Sequence, residues 1–178
     1  SQAAYDVYLK FNGGGGGAQI QTGDSKDSQY SAAQGWFEIN DFSFGMENTA
    51  SFGGVGGGFS SGRAQFDPVK VTKLAGAGSA ELFLACATGH RYDSVTIVLV
   101  RPGEGLQKTR ILQMDLYNVL IESVKAAGSD GDDVLNEDLV IRHESQWLQF
   151  FTQNSETGAE VPAGDSKWNV RENTAVTP

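Results

Sequence analysis

Two short patterns in the sequence resemble metal sites, and each lacks a residue that the metal needs. His143 and Glu144 begin the zinc motif His-Glu-x-x-His, but Trp147 stands where the second histidine ligand belongs. The acidic run that starts at Asp130 resembles a calcium loop, but its twelfth position, which supplies a bidentate glutamate in such loops, is Ile141. The chain has two histidines and one cysteine, so we expect no metal site.

A glycine pattern near the start resembles a nucleotide-binding site. Gly13, Gly15 and Ala18 fit the dinucleotide fingerprint and follow a predicted strand. That fingerprint needs a helix next, because the N–H groups of the first helical turn hold the phosphates. Residues 19–28 show no helical periodicity, and no serine lies in the strand-to-helix turn that a nucleophile elbow needs. We therefore expect no cofactor, no catalytic residue and no enzymatic activity.

Composition limits the partners and the size of the fold. The 178 residues carry a formal net charge of -9, whereas nucleic acids and anionic membranes bind basic surfaces, so we expect neither as a partner. The length fits one domain with its own core. No apolar run reaches the ~20 residues that span a membrane. The first residues show no signal peptide, so we expect the chain to be made in the cytoplasm and any export to use another route.

Strands and glycine-rich turns account for most of the chain. Apolar, β-branched and aromatic runs predict strands at about 5–11, 36–46, 63–73, 94–101, 109–125 and 139–152. Pro68 cannot donate to a ladder, so its strand lies at an edge or is bulged there. The run at 109–125 is predicted to bend near Asp115 to Asn118. Many strands at short spacing with one helix favour an antiparallel barrel or sandwich.

One segment, residues 79–89 with the sequence SAELFLACATG, predicts the helix. Ser79 is suited to cap its N-terminus, Glu81 complements the positive end of the helix dipole, and Gly89 can end it in a left-handed conformation. The residues between are apolar on nearly every face, so we expect the helix to be largely buried. Cys86 is then a core residue and not a reactive thiol.

The segment 48–62, NTASFGGVGGGFSSG, is unlike the rest of the chain. It is too long for a hairpin turn and too glycine-rich to pack a core, which indicates an extended functional loop. Phe52 and Phe59 would be exposed in such a loop, and insertion into a neighbouring subunit would bury them. Residues 153–178 are polar and turn-rich, but Trp168 and Val170 alternate, which indicates that part of this tail docks.

Several blocks, in this order and spacing, resemble the haemolysin-coregulated protein family, Hcp, the tube subunit of the bacterial type VI secretion system. The most specific is LFLACATG at 82–89. The others are AYDVYLKF at 4–11, GDS at 23–25, GWFEI at 35–39, FSFG at 42–45, the glycine-rich loop 48–62, the strand at 66–73, and ILQMDLYNVLIES at 111–123. The resemblance covers most of positions 4 to 151.

The resemblance implies a mainly β fold: an antiparallel β-barrel of two packed sheets with one short helix and a long extended loop, like Hcp and phage tail-tube proteins. Residues 1–152 would form this domain, and 153–178 would be a polar extension without a domain of its own. The family forms hexameric rings that stack into a tube inside a contractile sheath. Its members work with sheath and spike proteins, carry effectors in the lumen, and leave the bacterial cytoplasm without a signal peptide.

The resemblance also implies which residues make contacts between subunits. The ring-stacking loop would use Ser51, Phe52, Gly53, Gly54, Phe59 and Arg63. The helix would pack between subunits through Leu82, Phe83 and Cys86.

Three other interpretations stay open at the level of sequence. The chain could be the tail-tube protein of another phage-like contractile particle, which uses the same barrel and loop. It could be an effector whose tail is a toxin, although that tail is short and lacks an acid–base or metal constellation. It could also be a lectin-like binding module whose exposed aromatic residues contact a ligand.

Overall fold

The computed structural model describes residues 5–14, 18–102 and 108–175, and these form eleven strands and one α-helix. Gly15 of the glycine pattern lies outside the described residues. A short 3-10 helix covers Ala32–Gln34. The other elements are β1 (Asp6–Asn12), β2 (Trp36–Ile39), β3 (Asp41–Ser43), β4 (Met46–Phe52), β5 (Phe59–Phe66), β6 (Val69–Leu74), α1 (Ser79–Thr88), β7 (Arg91–Val100), β8 (Arg110–Ala127), β9 (Asn136–Arg142), β10 (Ser145–Gln153) and β11 (Glu160–Asn169).

The main sheet is antiparallel and curls back on the segment where it starts. Its strands follow the order β2-β1-β7-β8-β9-β6-β3, and all of these pairs are antiparallel. Only Asn40 separates β2 from β3, and its N–H donates to the carbonyl of Thr72 on β6 at 2.8 Å. The first and last strands of this order, β2 and β3, are therefore consecutive in the chain. The sheet curls round until these two strands are neighbours, which is the arrangement of a β-barrel. The predicted mainly β fold is confirmed.

Strand β8 changes partner halfway along its length. Its first half, residues 112–117, pairs with β10, and its second half, residues 120–127, pairs with β9. Asn118 lies between the two halves with φ of 53°, a left-handed conformation that asparagine tolerates better than most residues. This confirms the predicted bend. Strands β10 and β11 consequently extend the sheet beyond the barrel.

Alternate residues of β1, β7, β8 and β9 fill the barrel. Leu9 of β1, Ile97 of β7, Met114 of β8 and Leu139 of β9 are fully buried, and Leu82 of α1 joins them. Successive side chains of a strand point to opposite faces of the sheet, so one face of each of these strands lies inside.

The core also holds an ion pair where β6 and β9 meet. Lys73 and Glu137 are opposite each other in the register, their side chains are fully buried, and Nζ lies 3.3 Å from Oε1. The same Nζ donates to the carbonyl of Leu74 at 2.8 Å and lies 4.7 Å from the centre of the Phe37 ring. A buried charge needs such partners, because water is not available to it.

Three predicted strand regions are in fact pairs of strands. The region 36–46 divides at Asn40, and the region 139–152 divides at His143 and Glu144. The region 63–73 divides at Asp67 and Pro68. Apolar runs do not reveal the first two breaks, because both flanking strands bury apolar side chains. The third break follows from the missing N–H of proline, which predicts an edge or a bulge at that point.

The last strand was not predicted. Strand β11 pairs with β10 from Ser145 opposite Asn169 to Gln153 opposite Glu160. It contains Pro162 and Gly164, which are depleted in strands, and most of its side chains are exposed. This pairing meets the expectation that part of the tail docks, and it adds a strand at residues 160–169 that the sequence did not predict.

The helix begins at Ser79, but its N-cap lies one residue earlier than predicted and it is less buried than predicted. Its N-cap is Gly78, with φ of 81°, and the Ser79 hydroxyl accepts a hydrogen bond from the Gly76 N–H at 2.9 Å. Gly89 ends the helix in the left-handed conformation that the sequence indicated. Leu82 and Ala85 are its buried residues. The barrel covers one face of the helix, so an apolar sequence on all sides leaves the other face exposed.

None of the described helices is both long and apolar enough to cross a membrane.

Candidate assembly interface

The segment predicted as an extended loop is a β-hairpin. Strands β4 and β5 pair from Met46 opposite Phe66 to Phe52 opposite Phe59 and form a two-stranded sheet of their own. Residues 48–62 are too long for a hairpin turn because they include parts of both strands, and the connection itself is only residues 53–58. Every residue of β4 is exposed. A two-stranded hairpin of this kind is marginally stable in water unless another surface covers it.

A bulge near the middle of the hairpin depends on one glycine. The register shifts between Asn48 and Ala50, which leaves Thr49 without a partner across the ladder. A Cβ at Gly62 would lie 2.1 Å from the carbonyl oxygen of Thr49, so no side chain fits there. The side-chain oxygen of Asn48 accepts a hydrogen bond from the Gly62 N–H at 2.8 Å.

The hairpin tip, residues 51–60, is apolar and lies in open space. Phe52 and Phe59 are each 76% exposed, and their rings contact each other edge to face at a centroid distance of 4.6 Å. Val55 is fully exposed, and the hydroxyls of Ser51 and Ser60 lie 2.7 Å apart. The sequence contains no charged residue from position 48 to 62. Exposed aromatic side chains on an uncharged segment are typical of a surface that binds another protein.

The glycines of the tip make no packing contacts with the described residues. A Cβ built at Gly53 or Gly54 would meet no atom within 4 Å, and Gly53 has φ of 100°. Because glycine adopts a positive φ without a steric penalty, Gly53 allows the chain to turn at the hairpin tip. The surrounding space is free for a partner of the hairpin tip.

The base of the hairpin is fixed to the C-terminal part of the chain. The Arg63 guanidinium donates to the carbonyls of Val170 and Arg171 at 3.0 and 2.6 Å. Phe66 stacks on the ring of His143 at a centroid distance of 4.3 Å. Arg63, predicted for the stacking loop, thus binds within its own chain. No local pattern indicates this contact, because 107 residues separate Arg63 from Val170.

His143 is a packing residue in this base. Its Nε2 lies 2.9 Å from the side-chain oxygen of Gln146, and burial lowers the pKa of the imidazole from 6.5 to about 4. The ring is therefore neutral at physiological pH. No group of three or more potential metal ligands occurs among the residues that the structure describes.

The outer face of α1 is the second apolar surface. Phe83 and Leu84 are 44% and 41% exposed, and Ala80 and Ala87 lie exposed on the same side at helical spacing. We call these four residues the helix stripe. Of the predicted contact residues, Leu82 is fully buried in the chain's own core. Cys86 is half-buried, and its Sγ lies 3.6 Å from the Glu122 carbonyl oxygen. Phe83 alone of the three faces outward.

Comparison with known proteins gives both a family and a fold. The model of the family described as "Type VI secretion system effector, Hcp" matches residues 8–152. Protein hcp1 of Pseudomonas aeruginosa is 25% identical over 105 residues, which are 59% of this chain and 64% of that protein. The matched part thus spans a little less than two thirds of the relative's length.

Three solved structures share the fold. A protein described as a type six secretion system protein matches with a TM-score of 0.81 at 20% identity, over 96% of this chain and 99% of that one. Hcp1 from Salmonella typhimurium matches with a TM-score of 0.68 at 17% identity, over 98% and 100%. The sheath-tube complex of an extracellular contractile injection system contains a chain that matches with a TM-score of 0.54 at 14% identity, over 84% and 92%. Since the family model covers most of its length, the chain belongs to the Hcp family of type VI secretion system effectors.

Proposed function

We propose that this chain is a tube subunit of a type VI secretion system, and that it forms hexameric rings that stack into the inner tube. The observation that supports stacking most strongly is the hairpin tip, where Phe52 and Phe59 lie exposed on an uncharged segment that contacts nothing else described. Burying an aromatic side chain of this size contributes roughly 1.5–3 kcal/mol. A neighbouring ring would supply the cover that the hairpin lacks in one chain.

The helix stripe supports contacts within a ring. A helix that is apolar on both faces is normally covered on both. The barrel covers Leu82 and Ala85, and a neighbouring subunit in the same ring would cover Phe83 and Leu84. Ser51, Gly53 and Gly54 would support the stacking contact by shaping the hairpin tip, whereas Arg63 would hold the hairpin at its angle to the barrel.

Family membership supports the remaining parts of the proposal. The tube would work with the sheath and spike proteins of the machine and carry effector proteins in its lumen. The chain would be made in the bacterial cytoplasm and secreted without a signal peptide. It would act as a structural protein and not as an enzyme.

A second candidate is the tube protein of another phage-like contractile particle. The similarity of fold to a chain of an extracellular contractile injection system supports it. The genes that flank this one would separate the two: a type VI membrane complex favours the first, and phage-like baseplate genes favour the second.

Electron microscopy of tubes tests the stacking role. Replacing Phe52 and Phe59 by serine removes both aromatic side chains of the hairpin tip and changes no residue of the barrel, so we expect intact rings that stack into much shorter tubes. Ser60→Ala is a matched control in the same hairpin, because it removes only the contact with Ser51. Tubes of equal length in the double variant and the parent protein would refute the role.

A further inference from the structure

A third apolar surface lies near the end of β6 that is remote from the hairpin. Leu74 ends β6, and Val134 and Leu135 come directly before β9. These three side chains are between 40% and 51% exposed. The Ala75 N–H donates to the Leu135 carbonyl at 2.9 Å, which holds the two segments together. We call Leu74, Val134 and Leu135 the far-end patch.

The hairpin and the far-end patch are at opposite ends of β6. The hairpin leaves the barrel after Ser43, which is opposite Lys70, and returns just before Val69. The patch begins at the other terminus of the same strand, at Leu74, which is opposite Asn136. Five residue steps along a strand span roughly 17 Å. Because the hairpin leaves from the other end of β6, its tip is separated from the far-end patch of the same chain, and a second copy would have to bring the two surfaces together.

The shape and chemistry of the far-end patch fit the hairpin tip. An open surface depression of about 430 Å³ adjoins the patch and is lined by Val134, Leu135, Gly128, Ser129, Asp132 and Asp133. Val134 and Leu135 form the apolar part of this lining, and the carboxylates of Asp132 and Asp133 provide hydrogen-bond acceptors. The tip offers the matching groups: the apolar side chains of Phe52, Val55 and Phe59, no charge of its own, and a glycine-rich turn whose main chain is not covered by side chains.

The floor of the patch is rigid enough to receive a partner. The buried Lys73 Nζ donates to the Leu74 carbonyl and is paired with Glu137, so β6 and β9 are fixed to each other directly beneath the patch. A Cβ at Gly128 would lie 3.1 Å from the Leu135 side chain, which shows that the loop packs closely at this point. A surface that is ordered before binding loses less conformational entropy on binding.

We propose that the far-end patch is the receiving surface for the hairpin tip of a second copy of this chain. The inference rests on the proposed stacking of rings and assigns the surface on which the hairpin lands. Because tip and patch are different surfaces at opposite ends, the contact is head to tail, and each added ring leaves one free tip face and one free patch face. Rings can be added by this contact without limit, and all rings in the resulting tube have the same orientation.

Mixing two variants tests this pairing. The tip variant, Phe52→Ser with Phe59→Ser, keeps the patch, and the patch variant, Val134→Ser with Leu135→Ser, keeps the tip. We expect neither to stack alone. Their rings, mixed in equal amounts, should form stacks of two rings and no longer, because only one intact tip face meets one intact patch face. Negative-stain microscopy and sedimentation velocity count the rings in each stack.

The outcomes separate this inference from the proposed function. If the patch variant stacks as well as the parent protein while the tip variant does not, the receiving surface is wrong and the stacking role of the hairpin stands. If both variants stack like the parent protein, both proposals fail. If neither stacks alone and the mixture gives no two-ring stacks, tip and patch are not partners and the inference fails.

A disulfide trap keeps the inference testable if the patch variant does not fold. The double variant Val55→Cys with Val134→Cys should give a ladder of covalent multimers under mild oxidation, because each copy links to the next. Val55→Cys with Val161→Cys is the matched control, since Val161 is exposed on β11 and outside the far-end patch. Equal ladders from both pairs, or no ladder from the first under conditions in which the parent protein forms tubes, would overturn the inference.

Discussion

Gly62 controls the shape of the hairpin through a single contact. A methyl group there would collide with the main chain of Thr49, and main-chain atoms give way less easily than the end of a side chain. We expect Gly62→Ala to distort the hairpin and shorten tubes while the barrel keeps its melting temperature. Gly58→Ala is the matched control, because a Cβ there meets nothing within 4 Å. Tube length measured by microscopy checks this, and equal tubes from both variants would contradict it.

His143 makes stability depend on pH in a predictable direction. Its pKa is about 4 in the folded protein, against 6.5 for a histidine exposed in the unfolded chain, so between these values the unfolded chain binds a proton that the folded protein does not. The stability that neutral His143 provides is complete above pH 6.5 and is lost as the pH falls toward 4. At about 1.4 kcal/mol per pKa unit, the loss approaches ~3 kcal/mol.

Urea unfolding at several pH values measures this effect. We expect the difference in unfolding free energy between pH 7 and pH 4.5 to be smaller in His143→Gln than in the parent protein. Carboxylates also titrate in part of this range, but they are common to both proteins and cancel in the comparison. Equal pH dependence in the two proteins would show that His143 is not the cause.

At the scale of elements, the two faces of the helix have different roles. One face packs in the core of the chain, and the other is proposed to contact a neighbouring subunit. Replacing Phe83 and Leu84 by serine changes exposed side chains, so we expect the monomer to lose little stability. The same change removes the apolar part of the helix stripe, so we expect rings to dissociate. Leu82→Ala is the contrasting variant, because it leaves a cavity in the core and should cost about 2–5 kcal/mol of unfolding free energy. Light scattering and thermal melts distinguish the two results, and stable rings in the first variant would contradict the role of the stripe.

The sequence predicted elements well where local patterns decide them. The first strand, the bend of β8 near Asn118 and the helix end at Gly89 follow from an apolar run, turn chemistry and the left-handed conformation, and the structure confirms each. The family resemblance is confirmed by the match over residues 8–152.

The sequence failed where distant contacts decide the structure. Strand β11 exists because β10 offers it an edge, and the residues of β11 themselves have low strand propensity. The exposed half of the helix also escaped prediction, because an apolar sequence does not show which face a barrel will cover. The contact of Arg63 with Val170 and the packing of Phe66 on His143 are equally invisible in a local pattern.

At the scale of the whole molecule, the described residues form three apolar surfaces that one copy cannot cover. The hairpin tip and the far-end patch are at opposite ends, and the helix stripe lies on the outer face of the helix. A net charge of -9 would keep such a chain soluble and oppose close approach of copies, so salt that screens this repulsion should favour assembly. The arrangement fits a subunit with neighbours both beside it and along an axis.

The mass of the purified protein in solution tests the central claim most directly. The claim that this chain is a ring-forming tube subunit predicts particles of six chains, each of 19.0 kDa, by multi-angle light scattering, together with larger stacks as the protein concentration rises. A mass of one chain at every protein and salt concentration would contradict it.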